Sequence, residues 1–248
     1  MENNFNAFNF SGESLVTRIF LDGIVKFFNS SDAVICSCGY DGKIYLSLIK
    51  NPKSATPVIL EDPESNSVSK KYKNIFVYSF YQNSPINTIA FTSTSHFIAS
   101  GGADNLVKIW DMKSRSIQSK YKAHFGAITS IDLHNNDNIV ASSSIVGDIV
   151  LHNIANSNGL PIANFNQKAS NGVKMIKFSP FIKEYLASAS NDGSVSIWDI
   201  NKRMYAASYP MAHSSRVNAL AFSPHNQVLM CSVSLDQNIN FYDINQKK

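Results

Sequence analysis

A unit of about 44 residues that recurs along the chain, paired apolar runs alternating with period two around tight turns, and a further alternating run upstream of most pairs predict an all-β fold. Four short strands per unit make this a β-propeller of four-stranded blades. About five blades fit into residues 1–248, read as a single domain with blade hairpins near 35–49, 98–112, 140–154, 186–200 and 230–244.

The repeat is clearest in 99–111 and 187–199, whose tryptophans, Trp110 and Trp198, stand 88 residues apart, twice 44. A degenerate copy lies between them, at 141–153 with His152 in the Trp position, another follows at 231–243 with Tyr242 there, and an early one at 36–48 carries Ser47. Successive Trp-equivalent positions are 63, 42, 46 and 44 residues apart, so the first interval holds an insertion of about 19 residues. One column is serine in all five copies: Ser37, Ser100, Ser142, Ser188 and Ser232. The residue before it is always small (Cys36, Ala99, Ala141, Ala187, Cys231), and the one before that is aliphatic or Met. After the turn, apolar pairs return with period two: Ile44/Leu46, Val107/Ile109, Ile149/Leu151, Val195/Ile197 and Ile239/Phe241. Asp-Gly, Asp-Asn or Gly-Asp between such runs is hairpin chemistry. The first strands are expected at Ile86–Phe91, Ile128–Leu133, Val173–Phe178 and Val217–Phe222, and less regular fourth strands near 116–121 and 206–210.

Composition excludes several classes. Hydrophobic residues are 44% and charged ones 16%, which is too apolar for a disordered chain. No apolar run approaches the roughly 20 residues of a membrane helix, and MENNFNAFNF lacks the basic and apolar regions of a secretory signal. Three cysteines, an odd count, point to reduced thiols in the cytosol or nucleus, and a cytoplasmic location is expected. A net charge of +4 is no argument for nucleic acid. Neither nucleic acid, membrane nor small-molecule substrate is an expected partner.

With the Trp-Asp pairs, the Asp-Gly turn and the dipeptides Ala123-His124 and Ala212-His213 in register, the chain resembles the WD-repeat family over about residues 15–244. The resemblance implies a loop His, a strand Ser, a turn Asp and a strand Trp hydrogen-bonded across each blade. No blade has all four. His213 has Ser232 and Asp236 but Tyr242 for Trp; Trp198 has Ser188 and Asp192 but Ala169 for His; Trp110 has Ser100 and Asp104 but Gln82 for His; the first copy offers Ser37 and Asp41. The blade of His124 has Ser142 but Val146 in the Asp position and His152 in the Trp position, so its network is expected to be absent. These residues read as framework. His, Ser and Asp are also the types of a hydrolase triad, but they are expected to be spread around the ring, so no catalytic residue is assigned. Cys36 and Cys38 form C-x-C, yet a zinc site wants more ligands at defined spacing; both stand in columns of small strand residues. No metal and no cofactor is expected.

Residues 51–74, rich in Pro and Ser, read as an exposed inserted loop. Lys70, Lys71 and Lys73 beside Ser65, Ser67 and Ser69 make it a candidate docking or phosphorylation segment. Phe125 and Arg216, next to the loop histidines, are candidate partner contacts.

The runs 100–114 and 137–152, with Leu151-His152 where Trp is usual, are similar to one subfamily, the neural-precursor-expressed, developmentally down-regulated centrosomal adaptors that recruit γ-tubulin ring complexes. That implies a non-catalytic scaffold at the centrosome or spindle, with centrosomal proteins or the γ-tubulin complex as partners and microtubule nucleation as the process. A substrate receptor of a cullin-RING ubiquitin ligase is the alternative; such propellers often carry Arg two residues after Trp-Asp, where this chain has Lys113 and Asn201. A propeller enzyme would need an acidic or histidine cluster in the channel, and none is visible. Five units fall short of the familiar seven blades, so the chain is expected either to be part of a seven-bladed ring or to close as five with residues 14–20 as the last strand.

Overall fold

The computed structural model describes residues 24–27, 33–39, 42–49, 77–81, 84–94, 96–114, 116–155, 159–166 and 172–245. Among these residues nineteen strands form five antiparallel sheets, each built from strands consecutive in sequence. Blade 1 comprises β1 (Ile24–Phe27), β2 (Ala33–Cys38), β3 (Lys43–Ile49) and β4 (Val77–Tyr81). Blade 2 comprises β5 (Ile86–Phe91), β6 (Phe97–Gly102), β7 (Leu106–Asp111) and β8 (Ser116–Lys122). Blade 3 comprises β9 (Ile128–Leu133), β10 (Ile139–Ser144), β11 (Asp148–Asn153) and β12 (Pro161–Asn166). Blade 4 comprises β13 (Val173–Phe178), β14 (Tyr185–Ser190), β15 (Val195–Asp199) and β16 (Met204–Tyr209). Blade 5 has three strands, β17 (Val217–Phe222), β18 (Leu229–Ser234) and β19 (Ile239–Asp243). This is the all-β architecture of repeated blades, an incomplete propeller among the described residues.

The hairpin turns explain the spacing of the repeat. Among the described residues, the turn between the second and third strands of each blade contains a residue with positive φ: Gly42, Asn105, Gly147, Gly193 and Gln237. Left-handed backbone at that step is what lets a tight turn match the twist of the flanking strands.

The core lies between blades. Ala90, Ala99, Val107, Ile109 and Tyr121 of blade 2 pack against Ile128, Ile131 and Val140 of blade 3. Ala141, Ile149, Leu151 and Phe165 of blade 3 meet Val173, Ile176, Leu186 and Trp198 of blade 4. Ala187, Ala189, Val195 and Ile197 of blade 4 meet Val217, Leu220, Met230 and Tyr242 of blade 5. The residue after the serine is constrained by this stacking: a Cβ on Gly101 would sit 2.7 Å from the Ile128 side chain and 2.8 Å from that of Ile131. Cys38 obeys the same rule, buried with its thiol 3.8 Å from the Ile86 carbonyl of the next blade.

Polar groups also cross the boundaries. The side chains of Thr88 and Ser130 accept the Ile131 and Ile176 N–H of the following innermost strand, at 3.1 and 3.3 Å. Asp132 accepts from Phe178 N–H and Lys177 Nζ, each at 2.8 Å.

Blade 5 breaks the pattern on one face. The apolar pairs of β7, β11 and β15 are fully buried under the next blade, whereas Ile239 and Phe241 of β19 are 60% and 69% exposed.

Candidate functional site

Hydrogen bonds of the main chain gather one set of loops at one end of the blades. In each of blades 2 to 5 the turn between the second and third strands donates an N–H to the segment entering the first strand. These bonds run from Ala103 to Pro85, Ile145 to Ala127, Asn191 to Gly172 and Leu235 to Arg216, at 3.0–3.2 Å. The turn at the opposite end is held by the residue after the Trp position: Asp111, Asn153, Asp199 and Asp243 each accept the N–H two residues on. For Asp111 and Asp199 the N–H three residues on, of Ser114 and Lys202, does most to hold the carboxyl pKa below its usual value, with help from the N–H two residues on.

Inside the blades, the Ser column bonds to the Trp position, to the loop His or, in blade 5, to both. Trp110 Nε1 donates to Ser100 Oγ at 2.8 Å, and Trp198 Nε1 to Ser188 Oγ at 2.9 Å. In blade 5, Tyr242 OH lies 2.8 Å from Ser232 Oγ, which lies 2.6 Å from His213 Nε2, and His213 Nδ1 donates to Asp236 at 2.9 Å. A carboxylate can only accept, so Nδ1 carries the proton and Nε2 meets the hydroxyl. Burial pushes the Asp236 carboxyl up, but the Asn238 N–H, the His213 ring and the Ser214 N–H outweigh it and leave the pKa at about 2.

Blade 3 differs from its sequence pattern. Its network is present: His124 Nδ1 donates to Asp148 at 2.7 Å, and His124 Nε2 lies 2.8 Å from Ser142 Oγ. Val146, aligned with the turn aspartates, is exposed, and Asp148 supplies the carboxylate from two residues further on. The reversed order Gly147-Asp148 is the signal; Asp104, Asp192 and Asp236 precede the positive-φ residue of their turns, and Asp148 follows it. Ser144 Oγ also donates to Asp148, and these bonds lower its pKa against the opposing effect of burial. His, Ser and Asp are therefore not scattered around the ring but meet within a blade, twice. Both hydroxyls are sealed, Ser142 and Ser232 being 0% exposed, so neither offers a nucleophile to a substrate.

The other aspartates serve their own turns. Asp104 accepts from Lys108 Nζ and Leu106 N–H, and Asp192 from Ser194 N–H and Oγ. His152 is buried, its Nδ1 has no partner, and burial and the charge of His124 bring its pKa down to about 4.

Around the gathered loops stand exposed apolar side chains. Phe125 is 93% exposed, and Ile145, Val146, Met211 and Leu235 are also exposed. Phe125 and the Ile145–Val146 turn adjoin: a Cβ on the intervening Gly126 would touch Val146 at 2.6 Å and Ile145 at 2.8 Å. Arg216 is half-buried on the same end, before β17. Phe125 and Arg216 are the candidate contacts that the sequence offers; Ile145 and Val146 look like hairpin residues in the sequence, and the fold sets them beside Phe125. Lys70, Lys71, Lys73, Asp41 and the side chain of Ser37 lie outside the described residues, as do residues 14–20, Gln82 and Ala169.

Comparison with known proteins decides the family. The WD40 family, described as WD domain, G-beta repeat, matches residues 74–111, 115–148, 161–199 and 207–243, more than half of the chain. The chain belongs to that family. Its sequence units are offset from its blades: the WD40 unit 161–199 runs from β12, the outer strand of blade 3, through β15 of blade 4. Among similar proteins, NEDD1 of Homo sapiens is 32% identical over 127 residues, covering 51% of this chain and 19% of that protein. NEDD1 of Bos taurus is 33% identical over 127 residues, with the same coverage. Autophagy-related protein 16 of Arabidopsis thaliana is 30% identical over 150 residues, 54% of this chain and 28% of that protein. The match thus spans about a fifth of the length of the NEDD1 relatives. WD40 repeats and NEDD1-like relatives make the chain a WD-repeat scaffold for protein–protein interaction.

Proposed function

We propose that this chain is a non-catalytic targeting module of a centrosomal and spindle adaptor, acting in the recruitment of γ-tubulin ring complexes for microtubule nucleation. The observation that carries the reading is the similarity to NEDD1 proteins of two mammals, which agrees with the subfamily resemblance of residues 100–114 and 137–152. The geometry supports the rest. Main-chain hydrogen bonds tie the loops of that end together, and it presents apolar side chains to solvent. Its Asp–His–Ser chains are closed to substrate. The chain works by offering a surface, in the cytoplasm, to other proteins.

The test is the localisation of a fluorescently tagged chain through mitosis, with affinity purification of its partners. Enrichment at centrosomes and spindle poles, with γ-tubulin complex proteins in the eluate, is the expected result. A diffuse signal, or cullin-RING ligase adaptors as the main partners, would overturn the reading.

A further inference from the structure

Two cations stand at the loop end of neighbouring innermost strands without an acidic partner among the described residues. Lys174 is the second residue of β13, and Arg216 immediately precedes β17. Lys174 is exposed, while Arg216 is half-buried with its Nε shielded from solvent and without a hydrogen-bond partner. The two sense each other: partial burial and the Arg216 charge both hold the Lys174 ammonium below the usual lysine pKa. Like charges brought together and left uncompensated are stabilised by an incoming anion.

Apolar groups flank the pair on both sides. Leu235 is exposed, and its N–H is bonded to the Arg216 carbonyl at 3.2 Å. On the other side, Ile145 lies over Gly172, where a Cβ would come within 2.3 Å of the Ile145 carbonyl, and Ile145 continues into Val146 and Phe125. The surroundings also limit the size of the anion. Asp192 and Asp236 lie in turns at the same end, each held by its own turn. A polyanion laid across this end would meet those carboxylates, whereas a short segment with one or two acidic side chains would not.

We infer that Lys174 and Arg216, flanked by Ile145, Val146 and Leu235, dock a short acidic segment of a partner protein, its carboxylates on the two cations and an adjoining apolar side chain against the Ile145–Phe125 cluster. This rests on the reading of the chain as a protein-interaction scaffold and adds to it the chemistry of the partner. The carboxylates bind by charge-assisted hydrogen bonds to ammonium and guanidinium, and the apolar contact supplies burial that a purely ionic encounter lacks.

The experiment is selection of short peptides from a random displayed library on the full chain, followed by titration of the enriched peptides. The expected result is enrichment of peptides with Asp or Glu beside an apolar residue. Their affinity falls about tenfold or more with Lys174→Glu and with Arg216→Glu, and falls likewise when the peptide acids become amides. Lys120→Glu, an exposed control on β8, leaves it unchanged. Thermal unfolding of each variant checks its fold, and Lys174→Glu, at an exposed position, carries the test if Arg216→Glu unfolds. Enriched peptides without acids, or acidic peptides indifferent to both charge reversals, overturn the inference. So does loss, in these variants, of binding to phosphatidylserine vesicles or single-stranded RNA when no acidic peptide is selected. Failure here leaves centrosomal localisation of the unaltered chain intact, so the two readings fall separately.

Discussion

Tyr121 of blade 2 stacks on His152 of blade 3, ring centroids 4.6 Å apart and planes 12° from parallel. Where blades 2, 4 and 5 have an indole or phenol reaching the Ser column, blade 3 has an imidazole lying flat against its neighbour, while Ser142 is taken by His124.

That imidazole makes stability fall with acid. The pKa of His152 drops from 6.5 to about 4 on folding, chiefly by burial and then by the charge of His124. Between those values the unfolded chain binds more protons, so this contribution is whole above pH 6.5 and is lost as pH falls towards 4. The loss is at most about 3 kcal/mol. His152→Phe is expected to flatten that part of the profile, measured as urea midpoint against pH.

Asp148 titrates lower down. Its folded pKa lies below 3.8, so its contribution is present above that value and is lost as pH falls below it. Asp148→Asn weakens the bond to His124 and is expected to cost about 1–2 kcal/mol at neutral pH in chemical unfolding. Adding Val146→Asp should not restore it, because position 146 faces solvent.

Ser188 and Trp198 form a coupled pair. Ser188→Ala leaves the buried indole N–H without its 2.9 Å acceptor, an expected loss of about 1–3 kcal/mol. In a double-mutant cycle with Trp198→Phe the two losses should fall short of additivity by at least about 0.5 kcal/mol. Additive losses would mean the bond contributes nothing.

Gly193 and Gly159 separate strain from collision. Both have positive φ, but a Cβ at 193 would sit 2.3 Å from the His213 carbonyl oxygen, while at 159 nothing lies within 4 Å. Gly159→Ala is expected to cost about 1–2 kcal/mol, the backbone effect alone, and Gly193→Ala at least about 3 kcal/mol. Thermal melts of the two variants measure the difference.

The fold was legible because its cause is periodic. Each blade meets the next in the same way, so Gly101, Ser143 and Ala189 must all be small, and a column of small residues is visible without coordinates. Hydrogen bonds within a column, such as Trp198 to Ser188, lie at constant spacing for the same reason. Asp148 was not legible, because a carboxylate can reach the same imidazole from either side of a turn and only the conformation of Gly147 says which. Nor was the adjacency of Phe125 to Val146, which depends on how two loops from different strands meet.

The uncovered face of β19 has a consequence for how the molecule comes apart. In stacked repeats stability is close to a sum of intrinsic and nearest-neighbour terms. Blades 2, 3 and 4 are each clasped from both sides, whereas Ile239 and Phe241 leave blade 5 with one clasped face. Within the described residues β19 is therefore less protected than the strands enclosed between two blades, and amide exchange of this chain should be faster at β19 than around Ile149 and Val195, a gradient of protection written along the chain.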